Sequence, residues 1–318
     1  MTDQSFTETV GPGRRRLAPS GAKRRRPGRF APYLLLSPAL LIVLGIFGIP
    51  LVVMLVLSFQ NWSKVGEFTT TLQGQWTGFS NYTTLLTSSQ FWETTGRTVL
   101  VSALMVGGSM LIGLLFALMM QRISSWARYL MTFALILVWS IPALVSTFVF
   151  QWMFNRQYGI INALLGYQGI HNWLNNTNNG WFVVIILVIW GAVPMITVMM
   201  YAALTQVPKE LVEAAHIDGA SPWQTFRSVV EPIIRPVVLI MTSLSVFWDV
   251  QVFTQIFVLF SNQPQPSFYN LGIWSYIEGW QHADYGVATT ITTLTMILML
   301  VITIPYLRQL LRIGGDSK

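Results

Sequence analysis

The stretch Trp181–Leu204 reads WFVVIILVIWGAVPMITVMMYAAL, and none of its 24 residues is charged. A helix needs about 20 apolar residues to cross roughly 30 Å of hydrocarbon, so this run is long enough to span a membrane. It shows no sustained period-two alternation and is too long for a barrel strand. Pro194 inside it would break a helix in water, but membrane helices tolerate proline where neighbours satisfy the freed carbonyl. Five further runs have the same character, at 33–59, 98–120, 129–154, 236–260 and 287–307. The 318-residue chain is 53% hydrophobic and only 10% charged, against roughly 25% charged in an average soluble domain. A water-soluble enzyme is excluded, and an all-α integral membrane protein of six helices is predicted. The absence of cysteine removes thiolate catalysis, Cys-ligated zinc and iron–sulfur clusters.

The basic residues orient these spans. Sixteen of the nineteen Lys and Arg fall before span 1, between spans 2 and 3, between spans 4 and 5, or after span 6; only Lys64, Arg97 and Arg156 fall on the other side. The positive-inside rule then places both termini in the cytoplasm. The net charge of +7 is thus an orientation signal rather than a nucleic-acid-binding surface. Residues 1–30 mix Arg, Pro, Gly and Ser, which predicts a disordered cytoplasmic arm able to meet anionic lipid. Residues 31–318 form the six-helix domain.

The cytoplasmic loop 205–235 is the most informative segment. From Pro208 it runs PKELVEAAHIDGASPWQTFR, followed by Glu231-Pro232 and Arg235-Pro236. Two short helices joined by a sharp turn are predicted. Pro208 suits a first helical position, and Glu210 complements the positive helix N-terminus. Gly219 can take positive φ and end the first helix. Ser221 can cap the second, with Pro222 at its first position and Gln224 completing a capping box. Ala214 and Ala215 would let another protein approach the backbone closely. Leu211, Ile217, Trp223 and Phe226 offer apolar area, and Glu213 and Asp218 offer directional polar contacts. The plain structural alternative is a hairpin resting on its own protein.

Glu213-Ala214-Ala215-x-x-x-Gly219 with the later Pro232 resembles the EAA motif of type I ABC importer permeases. The fuller string through Ile217-Asp218-Gly219-Ala220-Ser221 is similar to the carbohydrate-uptake branch, the maltose, glycerol-phosphate and trehalose type. Ser37-Pro38-Ala39, Phe79-Ser80-Asn81-Tyr82, Gly159-Ile160-Ile161-Asn162 and Asp284-Tyr285-Gly286 resemble further family segments in the same order. The arm and overall wording resemble the first permease of mycobacterial-type trehalose importers. The resemblance implies a coupling helix that docks on a separate ATPase subunit, with Glu213, Ala214, Ala215, Asp218, Gly219 and Ala220 at its core and Phe226 packing nearby. It also implies a second homologous permease, an ATPase dimer holding ATP and Mg, a solute-binding lipoprotein outside, and a bacterial cytoplasmic membrane. Two departures stand out. Glu231 replaces an apolar residue before Pro232, where pairing with Arg235 is available. Asn262-Gln263-Pro264 stands where relatives often have Gly-Gly-Pro.

Asp249 is the sole carboxylate deep within a span. An acid there costs about 2.5–3.5 kcal/mol on insertion scales, so it must face protein or a watery cavity. It either accepts hydrogen bonds from sugar hydroxyls or makes a structural hydrogen bond. Trp248, Gln251 and Gln255 beside it, and Gln151, Trp152 and Asn155 at the outer end of span 3, mix aromatic faces with amides as a sugar site does. Trp62, Trp181 and Trp280 read as interfacial anchors, and the threonines of span 6 as helix–helix hydrogen-bonding groups. His171, His216 and His282 have no metal-ligand spacing. No cofactor bound by this chain is expected, and no catalytic constellation is present. A disaccharide importer permease, with trehalose as its solute, is the leading expectation. The alternatives are a permease for glycerol 3-phosphate or another oligosaccharide, an ion-coupled secondary transporter acting alone, and a membrane-embedded enzyme.

Overall fold

The computed structural model describes residues 31–62 and 75–315. The basic arm, Lys64 and Lys318 therefore lie outside the described residues. The chain divides into two compact units, residues 1–51 and 52–318. The first carries α1 (Ala31–Val43), a π-helical turn at Leu44–Gly48 and the beginning of α2 (Ile49–Ser58).

The second unit continues through a two-stranded antiparallel ribbon, β1 (Gln60–Asn61) and β2 (Gln75–Trp76), with Gln60 opposite Trp76 and Asn61 opposite Gln75. Then come α3 (Ser80–Thr87), α4 (Ser89–Arg122), α5 (Ser125–Ser140), α6 (Ala143–Met153), α7 (Ile160–Leu165) and α8 (Thr177–Leu204). The loop helices are α9 (Lys209–Ile217) and α10 (Pro222–Thr225), followed by a π-helical turn at Phe226–Val230. The remainder is α11 (Glu231–Val250), α12 (Thr254–Leu259), α13 (Leu271–Tyr276) and α14 (Tyr285–Gly315). Among the described residues five helices are long and apolar enough to cross a membrane, or six if the bent pair α5–α6 counts as one span.

That bend corrects the expectation of one helix over 129–154. The axes of α5 and α6 differ by 95°. Pro142 has no N–H to donate, and its ring drives the preceding residue out of the helical region. Ile141 accordingly sits at φ −72°, ψ 124°. The fifth stretch is also corrected. It was expected to run unbroken over 236–260, but α11 stops at Val250 and α12 starts at Thr254. The carbonyls freed there find donors, as they must in a membrane. Ser102 Oγ donates to the Asp249 carbonyl at 3.1 Å, and Asn270 Nδ2 donates to the Val252 carbonyl at 2.7 Å.

Helices α4 and α8 pack closely because small residues line their contact. A Cβ on Gly108 would come within 2.5 Å of Ile189 Cδ1, and one on Gly113 within 2.6 Å of Ile196 Cγ2. The main core lies around α8, where Val183, Val184 and Leu187 meet Met105 of α4, Phe150 of α6 and Ile256 of α12.

Two of the three expected interfacial tryptophans are interior. Trp62 is fully buried and donates to Gln60 Oε1, and buried Trp181 donates to the Ser267 carbonyl. Trp280 is exposed. The α14 threonines mostly turn back on their own helix: Thr289, Thr293 and Thr295 bond carbonyls four residues earlier. Thr290, which reaches the Ser58 carbonyl, and Thr292, which meets Ser275, are the two that bridge elements. A buried indole N–H needs a fixed acceptor, and a threonine hydroxyl has one within its own turn; composition shows neither preference.

Candidate functional site

Loop 205–235 folds as two helices at a left-handed turn. Helix α9 begins at Lys209, so Pro208 is its cap residue, one position earlier than expected. Glu210 lies in the first turn. Gly219 takes φ +79°, with its N–H bonded to the His216 carbonyl and the Ala220 N–H bonded to the Ala215 carbonyl. This is the paired closure that ends many helices, and a side chain at that φ would cost about 1–2 kcal/mol. Ser221 and Gln224 form the reciprocal capping box, with Pro222 at the first position of α10. Glu231 and Arg235 approach to 4.0 Å on an exposed face, which contributes at most about 1 kcal/mol.

The loop presents a free surface. Leu211, Ala214, Ile217, Asp218 and Trp223 are exposed, with Ile217 at 86% and Trp223 at 66%. Ala215 and Ala220 are half-buried. Trp223 stacks on Phe226, ring centroids 5.9 Å apart. Phe226 in turn lines a groove of about 590 Å³ with Glu213, Lys209, Tyr201 and Arg128. Arg128 was missed in the sequence. Its guanidinium donates to the carbonyls of Met120 and Ile123 at the end of α4 and sits 5.5 Å from the Tyr201 ring centroid. A basic residue shortly after a helix end is the signal that points to it.

The second site lies between the two broken helices. A cavity of about 390 Å³ is lined by Ile141 and Ser146 from the first break and by Ser245, Trp248, Asp249 and Gln255 from the second. Asp249 is only 6% exposed, and its Oδ2 has no hydrogen-bond partner among the described residues. Its position is corrected: it is the penultimate residue of α11, beside the break, rather than in mid-helix.

The other candidates divide. Gln255 and Trp248 line the cavity with Asp249. Gln251 is an exposed cap outside the cavity lining. Gln151 is engaged in structure, its Nε2 donating to the carbonyls of Val258 and Leu259 and to Ser261 Oγ. Asn155 Oδ1 accepts from the N–H groups of Gln157 and Tyr158, closing a local turn. Trp152 is exposed. The outer-end trio therefore does not converge on the cavity.

The outer segment following α6 is organised by Asn162, which is fully buried. Its Nδ2 donates to the carbonyls of Asn155, Arg156 and His171, and its Oδ1 accepts from Trp173 Nε1. Further along, burial first and the charge of Glu278 second raise the Tyr269 phenol above its ordinary pKa. At 261–262, Ser261 and Asn262 adopt φ +56° and +62°. Asn262 thus holds a left-handed conformation, and Asn is among the side chains that tolerate it best.

Residues 109–312 match the model of the family described as the binding-protein-dependent transport system inner membrane component. The chain belongs to this family. It is 35% identical, over the full length of both chains, to the diacetylchitobiose uptake system permease protein DasB of Streptomyces coelicolor. It is 29% identical to the trehalose/maltose transport system permease protein MalF of Thermococcus litoralis, over 87% of this chain and 92% of that one. The fold is that of a bacterial ABC transporter involved in the import of the acidic polysaccharide alginate, with a TM-score of 0.73 at 22% identity, covering 89% of this chain and 96% of the other. The chain is thus an inner-membrane permease component of an ABC transporter and is not itself catalytic. Membership sets aside both the ion-coupled carrier and the membrane-embedded enzyme.

Proposed function

We propose that this permease forms half of the path for a neutral disaccharide, with trehalose the favoured solute. A second homologous permease supplies the other half. A solute-binding lipoprotein delivers the sugar outside, and an ATPase dimer engages loop 205–235 in the cytoplasm. The observation that carries this reading is the cavity between the two breaks. It places an unpartnered carboxylate oxygen of Asp249 beside Gln255 and the Trp248 ring. Sugar hydroxyls donate to such an acceptor, and the apolar faces of the rings lie against the indole. Among the described residues no Lys or Arg lines the cavity, which disfavours an anionic solute such as glycerol 3-phosphate. The names of the relatives point the same way, since DasB is a permease for diacetylchitobiose and MalF for trehalose and maltose.

The test is reconstitution of the full complex in proteoliposomes with labelled solutes. ATP-dependent accumulation of trehalose, inhibited by unlabelled trehalose and not by glycerol 3-phosphate, is expected. Accumulation of the phosphate ester with no disaccharide uptake would overturn the reading. The orientation is tested separately, because the chain contains no cysteine. Ser221→Cys should react with a membrane-impermeant maleimide only after the cells are permeabilised, and Gln263→Cys in intact cells. The reverse pattern would place the loop outside.

A further inference from the structure

A second polar recess lies close to the inner cavity and is independent of the candidates considered above. The segments 172–175 and 259–268 line an open surface cleft of about 280 Å³. Four amide side chains line it, from Asn172, Asn175, Gln263 and Gln265, with the rings of Phe260 and Phe268 at its wall. Among the described residues no charged side chain lines it. The two rings stack with centroids 3.8 Å apart. Asn172 Oδ1 is used by the Leu174 N–H, whereas no hydrogen bond occupies the side chains of Asn175, Gln263 or Gln265 among the described residues. Each free amide offers two donors and a two-lone-pair acceptor.

That donor and acceptor set suits vicinal hydroxyls, which give and accept hydrogen bonds from neighbouring atoms, and a phenyl face suits the C–H side of a pyranose. The volume lies just below the range of about 300–1,000 Å³ for ligand clefts, so it fits one sugar ring rather than an oligosaccharide. Helix α12 contributes one lining residue to each recess. Helix α12 has Gln255 at its first turn, in the inner cavity, and Leu259 at its last residue, in this cleft. Four residues separate them, about 6 Å of helix. Gln151 fixes the far end of α12 by donating to Val258, Leu259 and Ser261, so the two recesses are held in register.

We propose that this cleft is an outer subsite that takes one ring of a neutral sugar before it reaches the cavity beside Asp249. The proposal rests on the reading of the chain as a disaccharide permease. The probe is trehalose, applied for alkylation to the reconstituted permeases and ATPase without binding protein, while accumulation is read in a parallel sample that contains it. Asn172→Cys and Gln265→Cys, made separately, each leave three amides in place and report from opposite sides of the cleft. Over a trehalose titration, ten times the half-protecting concentration should slow maleimide alkylation of either cysteine about tenfold. Equimolar glycerol 3-phosphate should leave the rate unchanged. Unslowed alkylation at both positions, in a complex that still accumulates trehalose, overturns the subsite and leaves the permease reading standing. Protection by the binding protein alone, loaded or empty, makes the cleft a protein-docking surface and also overturns it. Failure of the complex to accumulate any neutral disaccharide overturns the underlying reading instead.

Discussion

Glu213→Arg should reduce ATP-driven uptake to background while leaving the chain inserted in the membrane. Glu213 is exposed on α9, midway between the half-buried Val212 and the exposed Ala214. Surface substitutions of this kind usually change stability by less than about 0.5 kcal/mol. The functional effect is of another size. The new guanidinium would share the groove with Arg128 and Lys209, replacing the one acid that lines it with them. It would also reverse the charge on the face that is proposed to meet the ATPase. Removing one partner of a desolvated charge pair at an interface costs about 2–5 kcal/mol, and a tenfold change corresponds to 1.4 kcal/mol, so a loss of at least about thirtyfold is expected. The measurements are uptake, sugar-stimulated ATP hydrolysis and co-purification of the ATPase subunit. Glu210→Arg is the control. Glu210 lies in the first turn of the same helix, where reversal forfeits only the favourable interaction with the helix N-terminus, about 0.3–1 kcal/mol. Uptake near normal for Glu213→Arg would remove the loop from the coupling path.

The difference between what was legible and what was not follows the range of the interactions. Gly219, Ser221, Pro222 and Gln224 act on backbone within four residues of themselves, so the turn and the capping box could be read directly from their order. Long apolar runs likewise mark helices without any partner. The break at Gln251–Phe253 could not be read in this way. It depends on Ser102, 147 positions away, supplying a donor to the Asp249 carbonyl, and on Asn270 supplying another to Val252. Pro142 is a subtler case: Pro194, Pro236 and Pro305 remain inside helices, so proline alone does not announce a 95° bend. The amides of Gln151 and Asn155 had the chemistry of a sugar site, but nearer carbonyls and N–H groups claim them. Asp249, by contrast, has no such partner for its Oδ2.

That unpartnered oxygen gives the second large expectation. Asp249→Asn keeps the side-chain volume and the main-chain bonds at the break, but replaces an acceptor-only carboxylate with an amide that must also donate. Hydrogen bonds to a buried carboxyl group contribute from about 0.5–1.5 kcal/mol when it is neutral to about 1.5–3 kcal/mol when it is charged. If the sugar supplies them, uptake should fall about twofold to a hundredfold, at 1.4 kcal/mol per factor of ten. Assembly with the second permease and the ATPase should be unchanged, as read by co-purification. Ser102→Ala provides the opposite profile. It removes the donor to the Asp249 carbonyl without touching the carboxylate, so about 0.5–1.5 kcal/mol of stability is lost while uptake per assembled complex persists. If instead Asp249→Asn abolishes assembly, or both variants lower stability and uptake in parallel, the carboxylate holds the break together and the sugar meets other groups. The two substitutions separate a group that faces the cavity from one that fastens its wall, because the Asp249 carbonyl accepts from Ser102 while the Oδ2 of the same residue has no hydrogen-bond partner among the described residues.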